Sequence, residues 1–249
     1  MQIVIIGSGN VAYHMAKVFS LKKIPLMQIF GRNGEELKKI SEELHIPYST
    51  EQLADADVYI ICVSDNSVEG VSKMITKKDC LVAHTSGSLP KEILAGEYRK
   101  SSFYPLQTFS KSKKLEYEKI PFFIETETET DKKILFDLAS RISEHVMESD
   151  HEKRKYIHLT AVFACNFVNH LFARAKEISD SQEIPFDYFL PLIDETVKKI
   201  YEIEPKAAQT GPAVRNDVRV LELHEKLLKD ESLDIYKTMN HSIQKMYEL

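Results

Sequence analysis

Gly7, Gly9 and Ala12 stand at the spacing G-x-G-x-x-A, directly after the β-branched run 2–6 and directly before a helical stretch. Each position has its own use. Gly7 lets the chain turn sharply off a strand, Gly9 lets the backbone come close to a pyrophosphate, and Ala12 is small enough for a helix to pack on the strand. Free N–H groups at the helix N-terminus then face the phosphates. Gly7, Ser8, Gly9, Asn10 and Val11 are the expected phosphate-holding residues. A tight β–α turn without a ligand is the alternative. The next apolar strand, 26–30, ends in Gly31-Arg32-Asn33, and the first acids, Glu35 and Glu36, lie inside the following helix. An acidic residue at that strand end would bond a ribose 2′-OH; Arg32 with Asn33 suits a 2′-phosphate instead. The expected cofactor is NADP, ahead of NAD, with a solvated arginine in a surface turn as the alternative for Arg32.

Further along the chain, other residues could do chemistry. Val63 and Ser64 end a buried strand over 57–63, and Thr85-Ser86-Gly87-Ser88 follows another strand with a glycine that permits a tight turn. Ser64 and Ser86 are expected along the nicotinamide side. Ser86 and Gly87 are also candidates for an anionic substrate group, with a simple polar turn as the alternative. Ser86 lacks the G-x-S-x-G frame of a hydrolase nucleophile. Gln107 and Thr108 form an adjacent wall, where Tyr104 is read as packing. His158 is the candidate general acid or base, because imidazole titrates near neutrality. A buried histidine satisfied by a carbonyl is its alternative. His158, Cys165 and Asn169 fall on one face of an unbroken α-helix, and Asn166 beside them could donate to a carbonyl or carboxylate, with interhelical hydrogen bonding as the alternative for Asn166 and Asn169. Thr210 precedes Gly211-Pro212, which caps a helix, and is a candidate substrate contact; Arg215 and Asp217 are read as a structural pair, with a reach into the cleft as the alternative.

The elements that must position these residues alternate strand and helix through the first 149 residues. That pattern implies an α/β fold, a doubly wound and mostly parallel sheet of Rossmann type. Strands are expected over 2–6, 26–30, 46–48, 57–63, 80–83, 101–105 and 120–125. Helices are expected after the glycine turn and near 35–44, 67–75 and 131–144, with a brief helical turn capped by Ser49 or Thr50. From 150 to 249 the pattern becomes all-helical, with helices over 151–179, 186–203, 212–229 and 232–248. The expected domains are therefore 1–149, which binds the nucleotide, and 150–249, which serves substrate binding and dimerisation.

Of the 249 residues, 43% are hydrophobic and 29% charged, with formal charge −5 and pI near 6.0. No basic field argues for nucleic acid or an acidic membrane, and Lys111 to Lys114 reads as a solvated face. No signal segment and no membrane span are expected. The three cysteines, Cys62, Cys80 and Cys165, show neither a disulfide framework nor zinc spacing, so buried free thiols in a cytoplasmic protein are expected. No metal site is expected.

The glycine turn, His84-Thr85-Ser86-Gly87-Ser88, Tyr104-Pro105-Leu106-Gln107-Thr108-Phe109, Tyr156-Ile157-His158 with Asn166, and Thr210-Gly211-Pro212 together resemble Rossmann-like proteins with a DUF2520 C-terminal domain. These are relatives of β-hydroxyacid dehydrogenases, pyrroline-5-carboxylate reductases and F420-dependent NADP reductases. The resemblance covers nearly the whole chain. It implies a nucleotide-binding domain, a helical domain that mediates a homodimer, and a substrate cleft between them, but names no substrate. Tyr104 stands where members of the group often carry histidine. Val162 stands where the β-hydroxyacid dehydrogenases carry a catalytic lysine, so lysine-assisted alcohol oxidation is not expected. The expected function is an NADP-dependent oxidoreductase that passes a hydride to a small carbonyl or imine. A non-catalytic NADP sensor or partner-binding protein is the alternative.

Overall fold

The chain is described by a computed structural model covering residues 1–249. Its first strand, β1 (Ile3–Ile6), is wholly buried. Successive side chains of a strand point to opposite faces, so Ile3 and Ile5 join one apolar cluster while Val4 and Ile6 join the other. Such a strand, apolar on both sides, belongs inside a sheet covered by helices on both faces. Around it lie α1 (Asn10–Leu21), β2 (Leu26–Phe30), α2 (Gly34–Leu44), β3 (Tyr48–Ser49), β4 (Val58–Ile61), α3 (Asp65–Ser72), β5 (Leu81–His84), β6 (Arg99–Pro105), β7 (Phe122–Glu125), α4 (Glu129–Ser140) and β8 (Val146–Glu148).

The strand order is β3-β2-β1-β4-β5-β6-β7-β8. Pairing is parallel from β3 through to β6; β7 runs antiparallel to β6, and β8 is parallel to β7. The chain reverses direction across the sheet between β1 and β4, and in such sheets a crevice opens at that point, outside the carboxyl ends of the strands. The α/β class with a mostly parallel doubly wound sheet is thus the observed one.

Local chemistry sets the helix ends. The Asn33 side chain caps α2 by accepting from Glu36 N–H, Thr128 caps α4 from Asp131 N–H, and Asp150 caps the next helix from Lys153 N–H. At α1 the cap position is Gly9, which has no side chain to offer, and the first turn carries no acid. That N-terminus keeps its free N–H groups.

Several expected elements differ. Ser49 Oγ accepts from the N–H of Glu51 and Gln52, which closes a turn, but no helix follows. The short strand β3 lies at 48–49 rather than 46–48, and β8 was not expected at all. Helix 212–229 starts only at Val218, because Gly211 and Asn216 both take positive φ. The long helix expected over 151–179 is α5 (His151–Ala161), a π-helical segment at Val162–Phe167, and α6 (Val168–Ser181). The π segment adds residues to the turn, so the spacing that put His158, Cys165 and Asn169 on one face does not survive it. Cys62 and Cys80 are buried as expected, whereas Cys165 is exposed.

By internal contacts the chain divides into two units, Met1–Asn166 and Phe167–Leu249. No strand follows β8, which ends at Glu148. The second unit holds α6, a 3-10 turn at Phe186–Phe189, α7 (Leu190–Lys199), α8 (Pro205–Ala208), α9 (Val218–Leu227) and α10 (Asp230–Met246). Within it Arg174 pairs with Glu231 at 2.9 Å, and His224 Nδ1 lies 2.9 Å from Tyr236 Oη. No helix is long and apolar enough to cross a membrane.

Candidate functional site

Gly7 leaves β1 at φ 137°, and a Cβ there would overlap the carbonyl of Cys62 at the end of β4. Only glycine fits that approach. The turn it permits opens a cleft of about 940 Å³ over the carboxyl ends of β1, β2 and β4. Gly7, Ser8, Gly9, Asn10, Val11, Arg32, Asn33, Val63 and Ser64 all line it. Of the residues expected to hold cofactor, only Ser86 lies outside this lining.

The cleft's floor suits a pyrophosphate. At Gly9 a Cβ would meet nothing within 4 Å, so the backbone there faces open space, beside the uncapped N-terminus of α1. Arg32 is exposed and carries no ion pair, so its guanidinium stands free at the end of β2. Asn33 spends its side-chain oxygen on capping α2 at 3.1 Å, which leaves its amide N–H groups as donors. A dinucleotide phosphate backbone and a 2′-phosphate both fit these donors.

A loop after β6 braces the glycine turn, which the sequence did not suggest. Lys111 Nζ donates to the carbonyl of Ser8 at 2.9 Å and pairs with Glu36 at 2.5 Å. Hydrogen bonds from Lys111 and Lys39 hold the Glu36 carboxyl down to about 2. The Asn10 side chain donates to Phe109 O at 2.9 Å, so it secures this loop rather than standing free for phosphate. His14, buried in α1, bridges Tyr117 Oη and Ser110 O at 2.8 Å each, and burial lowers its pKa. Lys111, read as part of a solvated run, is instead a tether.

A second polar group gathers beyond the ends of β5 and β6. His84 ends β5 with no exposed surface, and burial pushes its pKa down to about 3. Its Nδ1 accepts from Ser86 N–H at 3.2 Å. Ser86 Oγ in turn accepts from the N–H groups of Ser88 and Leu89 at 3.1 Å, so this hydroxyl closes the turn. His158 of α5 comes to the same place. Its Nδ1 lies 3.0 Å from Tyr104 Oη, and a Cβ on Gly87 would reach within 2.8 Å of its ring. Gly87, Tyr104 and His158 therefore meet. Tyr104, read as a packing residue, was missed as a partner.

The other candidates make local contacts or stand exposed. Gln107 folds onto its own strand end, its Oε1 accepting from Thr108 N–H at 2.7 Å. Asn166 is exposed in the π-helical segment, and Thr210 is exposed in the helical unit beside Gly211. Cys62 cannot act as a nucleophile near neutral pH, since burial pushes its thiol up to about 12. No cluster of metal-ligating side chains exists.

Comparison with known proteins adds to this geometry. Residues 2–86 match the family described as NADP oxidoreductase, coenzyme F420-dependent. Residues 120–243 match DUF2520, a domain of unknown function. A solved structure from Bacteroides fragilis, provisionally named an NADP oxidoreductase, is 37% identical over 98% of both chains with a TM-score of 0.91. A reductive aminase from Aspergillus terreus, solved with NADPH and ethyl-5-oxohexanoate, shares the fold at 12% identity, over 98% of this chain and 94% of that one, with a TM-score of 0.70. An imine reductase from Myxococcus stipitatus, solved with NADP+, does so at 10% identity, over 100% and 94%, with a TM-score of 0.67. No curated protein matches the chain in sequence.

Proposed function

The chain belongs to the family that joins an NADP oxidoreductase domain of the coenzyme F420-dependent type to a DUF2520 domain, and from that premise we propose that it is an NADP-dependent reductase of small carbonyl or imine compounds. The observation that carries this reading is the free Arg32 guanidinium in the cleft opened by the glycine turn. Arginine presents paired donors to phosphate oxygens, and no acidic side chain ends β2 to bond a ribose 2′-OH in its place. The relatives solved with NADPH and NADP+ support the same cofactor.

When bound, the cofactor supplies the hydride. The chain's own groups hold and orient. Backbone N–H groups of Ser8 to Val11 and the α1 N-terminus hold the pyrophosphate; Arg32 and the Asn33 amide hold the 2′-phosphate; Val63 and Ser64 lie along the dinucleotide. His158 donates to the oxygen or nitrogen of the bond being reduced, with Gly87 beside it. The reductive aminase and the imine reductase among the similar folds favour a C=N substrate alongside C=O. The helical unit supplies the surface of a homodimer.

Calorimetric titration with NADPH and NADH, on the wild type and Arg32→Ala, tests the proposal. NADPH binds the wild type more tightly than NADH, and Arg32→Ala removes about 10- to 100-fold of that preference, the value of a charge-assisted bond. Equal binding of both nucleotides, untouched by the substitution, overturns the cofactor assignment. If neither nucleotide binds, the reductase reading falls.

A further inference from the structure

Tyr104 has no role in the reading above, yet the fold converges on it. It stands near the carboxyl end of β6, 8% exposed, with its Oη 3.0 Å from Nδ1 of the half-buried His158. The two rings meet edge to face, with centroids 6.0 Å apart. Two further features fix that meeting. Arg154, one turn earlier in α5 and fully buried, bonds Glu125 of β7 and the carbonyl of Leu89, each at 2.5 Å. It thereby pins the start of α5 to the sheet and to the loop after β5. In that loop Gly87 presses so close that a Cβ would come within 2.8 Å of Cβ, Cγ and Nδ1 of His158. The Nδ1 edge of the imidazole is the edge held by the protein.

We propose that Tyr104 is a positioning residue that fixes the neutral imidazole of His158 as its Nε2–H tautomer, so that Nε2–H bonds the oxygen or nitrogen of a small carbonyl or imine. The inference rests on the reductase reading and deepens it. Its argument is one of donors and acceptors. Burial raises the Tyr104 phenol to about 12; Arg154 pulls it down and Asp65 pushes it up by smaller amounts. The hydroxyl therefore keeps its hydrogen near neutral pH. A buried hydroxyl donates to an acceptor within reach, and Nδ1 is that acceptor. A neutral imidazole accepting at Nδ1 carries its hydrogen on Nε2. When the bond is reduced by hydride, the oxygen or nitrogen would take the Nε2 proton while Nδ1 draws the phenolic proton towards itself. Water would then reprotonate Nε2, leaving hydroxide in solvent, and Nδ1 would return its proton to Tyr104, which restores the starting tautomer.

Long-range 1H–15N spectra of the cofactor-free protein, labelled at histidine ring nitrogens and recorded at pH 8, test this directly. His158 in the wild type shows a bare, hydrogen-bonded Nδ1 and a protonated Nε2. In Tyr104→Phe, which keeps the ring and loses only the hydroxyl, the Nδ1–H tautomer gains population and the averaged Nδ1 signal moves upfield, towards that of a protonated nitrogen. Gly87→Ala, which displaces the imidazole while Tyr104 stays in place, moves the same signal. A wild-type Nδ1 that carries the proton, or an Nδ1 signal unmoved in Tyr104→Phe, overturns the proposal. The nucleotide titration separates the two readings. Absent NADPH binding with an intact Tyr104 signature sinks the reductase reading alone. NADPH binding with no such signature sinks this inference alone.

Discussion

His84 shows how a residue at the end of a strand acquires a folded-state role that its sequence neighbours do not announce. It is fully buried, and burial takes its pKa from 6.5 to about 3. The unfolded chain takes up a proton here as pH falls below 6.5, while the folded chain resists until about pH 3. Folding stability from this residue is therefore complete above 6.5 and is lost on acidification across that window, at about 1.4 kcal/mol per pH unit. His14, also lowered by burial, adds a loss of the same sign. Urea midpoints at pH 7.5 and pH 5 for the wild type and His84→Asn isolate the His84 share. The wild type loses more stability than the variant, and equal losses refute the assignment. At this scale the glycine turn was legible because its chemistry is local: Gly7, Gly9 and Ala12 lie within six positions. Tyr104 was not legible, because its partner lies 54 residues away and nothing nearby marks the pairing.

Among elements, α5 depends most on one contact made at a distance. Its Arg154 is sealed from solvent, and Glu125 of β7, with 14% of its side chain exposed, supplies the opposing charge. Glu125→Gln leaves the guanidinium buried without a full countercharge, which costs about 3 kcal/mol. An unfolding midpoint in urea that falls accordingly bears this out; an unchanged midpoint shows that the Leu89 carbonyl alone suffices. The strands of the sheet centre were readable since both faces are apolar and the runs are short. β8 escaped because only Val146 of its three residues is even partly buried, so it carries no apolar pattern. The π segment escaped for another reason. A period of 3.6 residues is assumed in any face drawn across a helix, and no glycine or proline marks where Val162–Phe167 departs from it. The face linking His158 to Cys165 and Asn169 failed there, while His158 itself, placed before the departure, kept its position.

For the whole molecule, the telling feature is how little the helical unit hides. Within Phe167–Leu249 only Ser179, Ala213 and Leu221 are buried. Large apolar side chains stand in the open instead: Tyr188 is 74% exposed, Leu192 64%, Tyr201 85% and Leu227 73%. A helical unit of this size gains its stability from covered apolar faces rather than from helix propensity. Exposed apolar area on that scale marks a surface that another surface covers. A second copy of the chain is the occupant we assign, since a two-fold contact pairs the same apolar patch with itself. Sedimentation equilibrium then gives twice the 28.6 kDa chain mass, and thermal midpoints rise with protein concentration, as mass action requires of a dimer. Leu192→Glu and Tyr188→Glu each place a charge on the apolar face and shift the sedimenting species towards the chain mass, with the glycine-turn cleft intact by NADPH titration. A wild type that sediments at the chain mass at every concentration rejects the dimer and leaves the nucleotide reading where it stands, because that reading rests on residues of the first unit alone.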